Sequence, residues 1–290
     1  MNGKAALLLV NPKSRRGEES LPQVRELLSR AGINYVELLP ESNETPSEAI
    51  KARAGKIDMV IVGGGDGSLN AAAEGLLDTG LSLGVLPLGT ANDFARTIGL
   101  PTDLAAAIDI VAKGNTTLID LGQANGHPFF NVASIGFSAD LAMSLTEKAK
   151  KRWGKLGYGI VAARLLASSR LFSATLEHDG RVEGLHTLQM AVGNGRFYGG
   201  GMAVKADATA TDGLLDFYSL EVDHWWRLLA LLPSLRAGTQ GEWDDVRTFS
   251  TKDLTIRTKR PRPVNLDGEL KTKTPVRFTV LEKAVSVFIP

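Results

Sequence analysis

The chain contains no cysteine among its 290 residues. That removes disulfides, thiolate nucleophiles and cysteine-based metal sites, and suits a reducing compartment. Long apolar runs are also missing. No window offers the ~20 uninterrupted apolar residues that a membrane span needs. The first apolar run, Ala5 to Val10, is too short for a secretory leader, so the expected location is cytoplasmic, with any membrane contact made at the surface. Charge of one sign is lacking too: the net charge of +1 argues against a broad nucleic-acid footprint, and no nucleic-acid partner is expected. The four histidines, at 127, 178, 186 and 224, show no zinc-ligand spacing. There is no G-x-S-x-G elbow of the kind a serine hydrolase uses. No repeat, low-complexity tract or flexible linker breaks the chain.

What is present is ample core material, with 43% apolar and 22% charged residues, in a chain long enough for two lobes. Through about residue 115, short Val/Ile/Leu runs alternate with amphipathic segments: KAALLLVN then 18–31, NYVELL then 46–55, IDMVIVGG then 68–78, and LSLGVLPL then 91–98 and 102–113. This β, α, β, α rhythm predicts a doubly wound parallel α/β lobe. Beyond it, strands rich in Thr, Val, Phe and Ile are joined by Gly and Asp turns, with Asp179-Gly180 a hairpin signal. The second lobe is therefore expected to be an antiparallel β-sandwich, with helical insertions near 139–169 and 223–237. The expected division is 1–118 and 119–290, with a C-terminal tail that could pack back on the first lobe. Ligands are expected in the cleft at the carboxyl ends of the parallel strands.

One loop at such a strand end is IVGGGDGSLN, residues 61–70. Its glycines free backbone N–H groups, and Ser68 opens a helical pattern, so it could cradle phosphate. It is not the dinucleotide fingerprint, whose third glycine would fall at Ser68, and no Gly-Lys pair is followed by the Ser or Thr of a Walker loop. Asp66 cannot approach phosphate unaided and would need a divalent cation or a hydroxyl. Equally, the glycines could form a tight turn, with Asp66 or Ser68 capping the helix. The next loop, LGVLPLGTANDFART (83–97), offers Thr90, Asn92 and Asp93, and there too Thr90 or Asn92 could be a plain helix cap.

Taken in order, NPKSRRG (11–17), GGDGS (64–68), LPLGTANDFA (86–95), NGRFYGGGM (194–202), TDGLLDF (211–217) and NLDGE (265–269) resemble the diacylglycerol-kinase-type catalytic family, specifically its bacterial YegS-like lipid kinases. The resemblance implies an ATP-dependent kinase that phosphorylates a lipid hydroxyl of the diacylglycerol or phosphatidylglycerol class. It implies ATP-phosphate contacts at Gly64, Gly65, Asp66, Gly67, Ser68, Leu69, Asn70 and Thr90, with Asn11, Lys13 and Arg16 near phosphate. A further nucleotide-contacting threonine of the family aligns with Pro40 or Ser42. The implied base is Glu269, with Asp267 beside it. A Mg²⁺ site, or one for another divalent cation such as Ca²⁺, would carry onto Asp212 and the backbone oxygens of Thr209 and Leu214. Asp120 matches another acidic position near the cleft.

Phosphoryl transfer needs charge neutralisation, a positioned hydroxyl and a proton acceptor. In an extended segment Asp267 and Glu269 would share one face; alternatively Asp267-Gly268 is a hairpin turn. EKAKKRWGK (147–155), with Trp153 among basic residues, has the chemistry of an anionic-membrane contact, and HWWRLLALLPSL (224–235) is a second candidate unless its leucines face the core. Two rival functions stand beside lipid phosphorylation. One is a kinase of a soluble substrate such as NAD, because NAD kinases share a similar GGDG loop. The other is a non-catalytic nucleotide or lipid sensor on the same fold.

Overall fold

The computed structural model describes residues 5–12, 14, 16–39, 42–144, 170–222 and 225–290. Apolar runs rich in branched side chains become strands buried on both faces, and all six residues of MVIVGG are buried. The first lobe runs β1 (Ala5–Val10), α1 (Gly17–Arg30), β2 (Asn34–Glu37), α2 (Pro46–Arg53), β3 (Met59–Gly64), α3 (Asp66–Thr79), β4 (Ser82–Pro87), α4 (Asp93–Thr97) and α5 (Leu104–Lys113). Local chemistry fixes several ends. Thr45 and Glu48 form a reciprocal capping box on α2, and Asp103 caps α5, which Gly114 terminates in a left-handed conformation.

The four strands are parallel in the order β2-β1-β3-β4. Helix α1 packs with α5 and α2 with α3, so the sheet is covered on both sides. The chain leaves β1 for one neighbour and returns on the other side at β3. The loops after these two strands therefore diverge, and the carboxyl ends of β1 and β3 flank a crevice.

The second lobe comprises β5 (Thr116–Ala124), β6 (His127–Phe129), β7 (Val132–Gly136), α6 (Phe137–Ser144), β8 (Phe172–His178), β9 (Arg181–Thr187), β10 (Gln189–Gly193), β11 (Phe197–Tyr198), β12 (Met202–Ala203), β13 (Leu215–Leu220), α7 (Trp225–Ala237), β14 (Val246–Thr251), β15 (Asp253–Thr258), β16 (Pro263–Leu266), β17 (Glu269–Lys273) and β18 (Val276–Phe288). An antiparallel six-stranded sheet, β14-β13-β10-β7-β16-β17, packs on the β18-β15-β8-β9 region of a ten-stranded sheet. Phe129, Ile135, Leu176, Met190, Phe217 and Phe278 fill the space between them. On the other face of the six-stranded sheet, Leu228, Leu231 and Leu235 of α7 are buried, so those leucines serve a core.

Strand β18 joins the lobes. It runs antiparallel to β5 along most of its length, pairs with β15 near its start, and lies parallel to β4 at Val287 and Leu83. Its register shifts between Leu281 and Val285, where Lys283 has a φ of 51°. Asp120, 2% exposed, fills that bulge by accepting from the N–H of Lys283 (2.7 Å) and of Gly213 (2.8 Å). This acid is thus a structural tie between β5, β18 and the turn that carries Asp212.

Candidate phosphate-binding and phosphotransfer site

Where the loops after β1 and β4 begin, backbone bonds tie them to the end of β3. Asn11 N–H donates to Gly63 O (3.0 Å), and Leu88 and Gly89 both donate to Gly64 O at 3.0 and 3.1 Å. Gly65 and Gly89 lie back to back: a Cβ on Gly89 would stand 2.4 Å from Gly65 Cα. Gly65 has an ordinary φ of −105°, so it is close approach of two loops, not a left-handed backbone, that demands glycine here.

Beside them opens a cavity of ≈ 740 Å³. Asn11, Gly65, Gly67, Ser68, Gly89, Thr90 and Glu269 line it where the β1, β3 and β4 loops meet, and Leu38, Leu39, Ser42, Glu44 and Pro46 line it beyond β2. Helix α3 begins at Asp66 with Gly65 as its N-cap, not at Ser68. No side chain caps it, and the N–H groups of a helix's first turn lack intrahelical acceptors while carrying the positive end of its dipole. This turn can therefore receive an anion such as phosphate. Asn11 Nδ2 donates to Ser68 Oγ (3.3 Å), which fixes one polar wall.

Asp66 is held away from this cavity. Its Oδ1 accepts from Phe94 N–H (2.9 Å) and Asn131 Nδ2 (3.0 Å), and its Oδ2 accepts from Asp93 N–H (3.2 Å). It caps α4 from another loop. The local candidate, Asn92, sits in a left-handed conformation and turns its side chain to Gly89 and Pro87. Asp93, 3% exposed, accepts from Gly200 N–H at 2.8 Å. Burial pushes its carboxyl above the usual range, the Gly200 amide pulls it down, and neighbouring Asp66 pushes it up again.

The expectation that Asp267 and Glu269 share a face is overturned. Asp267 (φ 47°) and Gly268 (φ 97°) occupy the two turn positions between β16 and β17, with Leu266 paired to Glu269. Positive φ at both positions is the type I′ hairpin that Asp-Gly favours, and it sends the two side chains apart. The Asp267 carboxylate accepts from the N–H groups of Phe130 (2.7 Å), Asn131 (3.0 Å) and Val132 (3.0 Å) and from Asn70 Nδ2 (3.2 Å). Burial pushes its carboxyl up to about 6, against the pull of those donors. Glu269 instead opens the edge strand β17, is exposed, and meets Lys271 Nζ at 2.6 Å. Its Oε1 lies over the first turn of α3, only 3.9 Å from where a Cβ on Gly67 would stand.

Of the residues expected to touch ATP, Asn11, Gly65, Gly67, Ser68 and Thr90 line the cavity. Gly64 closes the β3 strand, Leu69 is buried in the core, and Asn70 is drawn to the Asp267 hairpin. Lys13, Pro40 and the basic stretch 147–155 lie outside the described residues. Asp212 is exposed and its Oδ1 accepts from Leu214 N–H at 3.0 Å. Among the described residues no three His, Asp or Glu side chains converge on one point. A metal at Thr209, Asp212 and Leu214 would thus bind two carbonyls and one carboxylate, an all-oxygen set that fits Mg²⁺ or Ca²⁺.

Two buried asparagines are additions that sequence reasoning did not reach. Asn131 joins Asp66 of the first lobe to the second, and its carbonyl accepts from the N–H of Asn194 at 2.8 Å. Asn194 Nδ2 donates to Asp120 O (2.8 Å) and Phe130 O (3.0 Å). Their signal is a lone amide within an otherwise apolar stretch, FFNVAS and MAVGNG.

A helix N-terminus open at the switch point of a parallel sheet, faced by a carboxylate from a β-sandwich, defines a two-lobed phosphotransferase architecture. Residues 5–124 match the diacylglycerol kinase catalytic domain and residues 131–289 the YegS C-terminal NAD kinase beta sandwich-like domain, and the chain belongs to this family of YegS-like kinases, phosphotransferases with an alcohol group as acceptor. It is 28% identical to a diacylglycerol kinase of Staphylococcus saprophyticus, over 99% of this chain and 96% of that one. A diacylglycerol kinase of Staphylococcus aureus strain bovine RF122 is also 28% identical, over 99% and 93%. A candidate diacylglycerol kinase of Bacillus anthracis strain Sterne, solved by crystallography, superposes with a TM-score of 0.83 at 25% identity, over 100% of this chain and 96% of that one. Among the described residues no helix is long and apolar enough to cross a membrane.

Proposed function

We propose that this protein transfers the γ-phosphate of ATP to a hydroxyl of a membrane lipid, of the diacylglycerol or phosphatidylglycerol class, at the inner face of the membrane. The observation that carries this reading is the Glu269 carboxylate standing over the open first turn of α3. Phosphate received at Gly65, Gly67 and Ser68 would lie within reach of a base from the other lobe. Glu269 takes the proton of the lipid hydroxyl as its oxygen attacks the γ-phosphorus in line. The bond from that phosphorus to the bridging oxygen breaks, and ADP leaves with the electron pair.

Glu269 suits the base better than Asp267 because the Asp267 carboxylate is filled by four donors. Thr90 and Asn11, which line the cavity, would orient the nucleotide, and Asp66 would act by organising the two loops. Thr209, Asp212 and Leu214 would hold a divalent cation, which supplies charge neutralisation and order at the lobe junction when bound.

The relatives' names support a lipid acceptor, and the sandwich domain's likeness to NAD kinase keeps a soluble acceptor in view. Purified protein with Mg²⁺ and γ-labelled ATP should be offered diacylglycerol, phosphatidylglycerol and NAD. Label is expected in a lipid fraction. Label in NAD would select the soluble-substrate reading, and ATP binding with no label anywhere would select a sensor.

A further inference from the structure

A second cavity, of ≈ 300 Å³, lies in the sandwich lobe and shares no lining residue with the phosphate cleft. Its floor is the face of the six-stranded sheet that α7 covers. Side chains alternate across that sheet, and Asp216 pairs with Ser250 and Tyr218 with Thr248. Asp216, Ser250 and Thr248 therefore turn toward the α7 side, as Tyr218 does, while Leu215 and Phe217 enter the core between the sheets.

The walls are residues 204–207, after β12, and the turn that follows α7. They are tied to each other. Ala206 N–H donates to Gly238 O (3.0 Å), and fully buried Gln240 donates through Nε2 to Ala203 O (3.2 Å). Gly238 has a φ of 79°, and a Cβ on it would stand 2.5 Å from Ala206 N, so this junction requires glycine.

One group in the floor is only half filled. Asp216 is 6% exposed. Its Oδ1 accepts from Ser250 Oγ (2.6 Å) and faces Lys205 Nζ at 3.7 Å, an ammonium that also faces Asp207 at 3.4 Å. Its Oδ2 accepts from no described residue. Burying a carboxylate is costly unless donors fill both oxygens, so this atom suits a cationic donor. Asp207 and Glu242 line the cavity as well, giving three carboxylates against one ammonium, a lining that repels phosphate. Among the described residues no three acids converge on one point, so the cavity is not a cage for a bare metal ion. Val204 and Ala206 add apolar surface, and the volume falls at the lower end of small-molecule sites, about 300–1,000 Å³.

We propose that this cavity binds a short aliphatic amine, its ammonium on Asp216 Oδ2 and its methylenes against Val204 and Ala206. Glu242, exposed on the open side, suits a second ammonium, so a diamine is favoured over a monoamine. The site does not depend on which acceptor the phosphotransfer cleft uses.

Calorimetric titration of the parent with putrescine tests this, in excess Mg²⁺ so that any divalent-cation site is filled, and with succinate as the reversed-charge control. Putrescine is expected to bind and succinate not. Asp216→Asn keeps an acceptor for Ser250 and should weaken putrescine binding about tenfold or more. Glu242→Arg, at an exposed position, should weaken it about threefold and carries the test should Asp216→Asn melt early. Putrescine should also raise the melting temperature of the parent and leave that of Asp216→Asn unmoved. No binding of putrescine, equal binding of succinate, or affinity unchanged in the folded variants would overturn the amine site.

Discussion

The lobe junction and the cleft mouth use carboxylates in opposite ways. At the junction Asp66, Asp120 and Asp267 each accept backbone N–H groups from distant segments, so their charge is consumed in holding loops together. At the cleft mouth Glu269 sits on an edge strand with a single lysine beside it. An acid surrounded by amides stabilises a fold, and an acid left open to a cavity can move a proton. Asp267 and Glu269 show how short the distance between a filled and an open carboxylate is: a type I′ turn is enough to separate them.

The largest expected effect breaks the open side of this comparison. Glu269→Gln should lower turnover by roughly 10²–10⁴-fold with ATP affinity kept, as steady-state rates and calorimetric titration would show. On the filled side, Asp66→Ala leaves the N–H of Asp93 and Phe94 and the Asn131 amide without an acceptor. We expect a loss of roughly 3 kcal/mol in denaturant unfolding, together with a raised KM for ATP as the two loops loosen.

Asp267 gives the comparison a pH signature. Its carboxyl is raised from 3.8 in the unfolded chain to about 6 in the fold, so the native state holds the proton more tightly. The stability it contributes is present in full below about pH 4 and is lost as pH rises through about 6, a change of roughly 2–3 kcal/mol. Asp267→Asn does not titrate and is expected to be the less stable of the two, so its stability and that of the parent should converge by that amount as pH rises between these limits; a constant difference would contradict it. The smallest effect is expected at Lys271→Met, which removes an exposed ion pair and should alter stability by less than about 0.5 kcal/mol in the same assay.

Much of the fold was legible because apolar runs and glycine turns act locally. The parallel strands and the Asp179-Gly180 hairpin follow from pattern and turn chemistry. The partners of the acids were not legible. Asn70 reaches Asp267 and Asp66 reaches Asn131 only after β16 and β7 pair in the six-stranded sheet, and no local pattern records that register. Likewise Asp66 in its glycine loop raised the question of a metal or a hydroxyl, whereas its partners prove to be the amides of the neighbouring loop and Asn131. Asp267-Gly268 carried its own hairpin signal, and turn geometry prevails over an extended reading because both residues tolerate positive φ.

The most direct measurement sets Asp267→Asn and Glu269→Gln beside the parent and records two quantities for each: the melting temperature, and label transferred from γ-labelled ATP to lipid. The account predicts that Glu269→Gln melts with the parent and transfers almost nothing, while Asp267→Asn melts well below it. Near-parental transfer by Glu269→Gln would contradict the account.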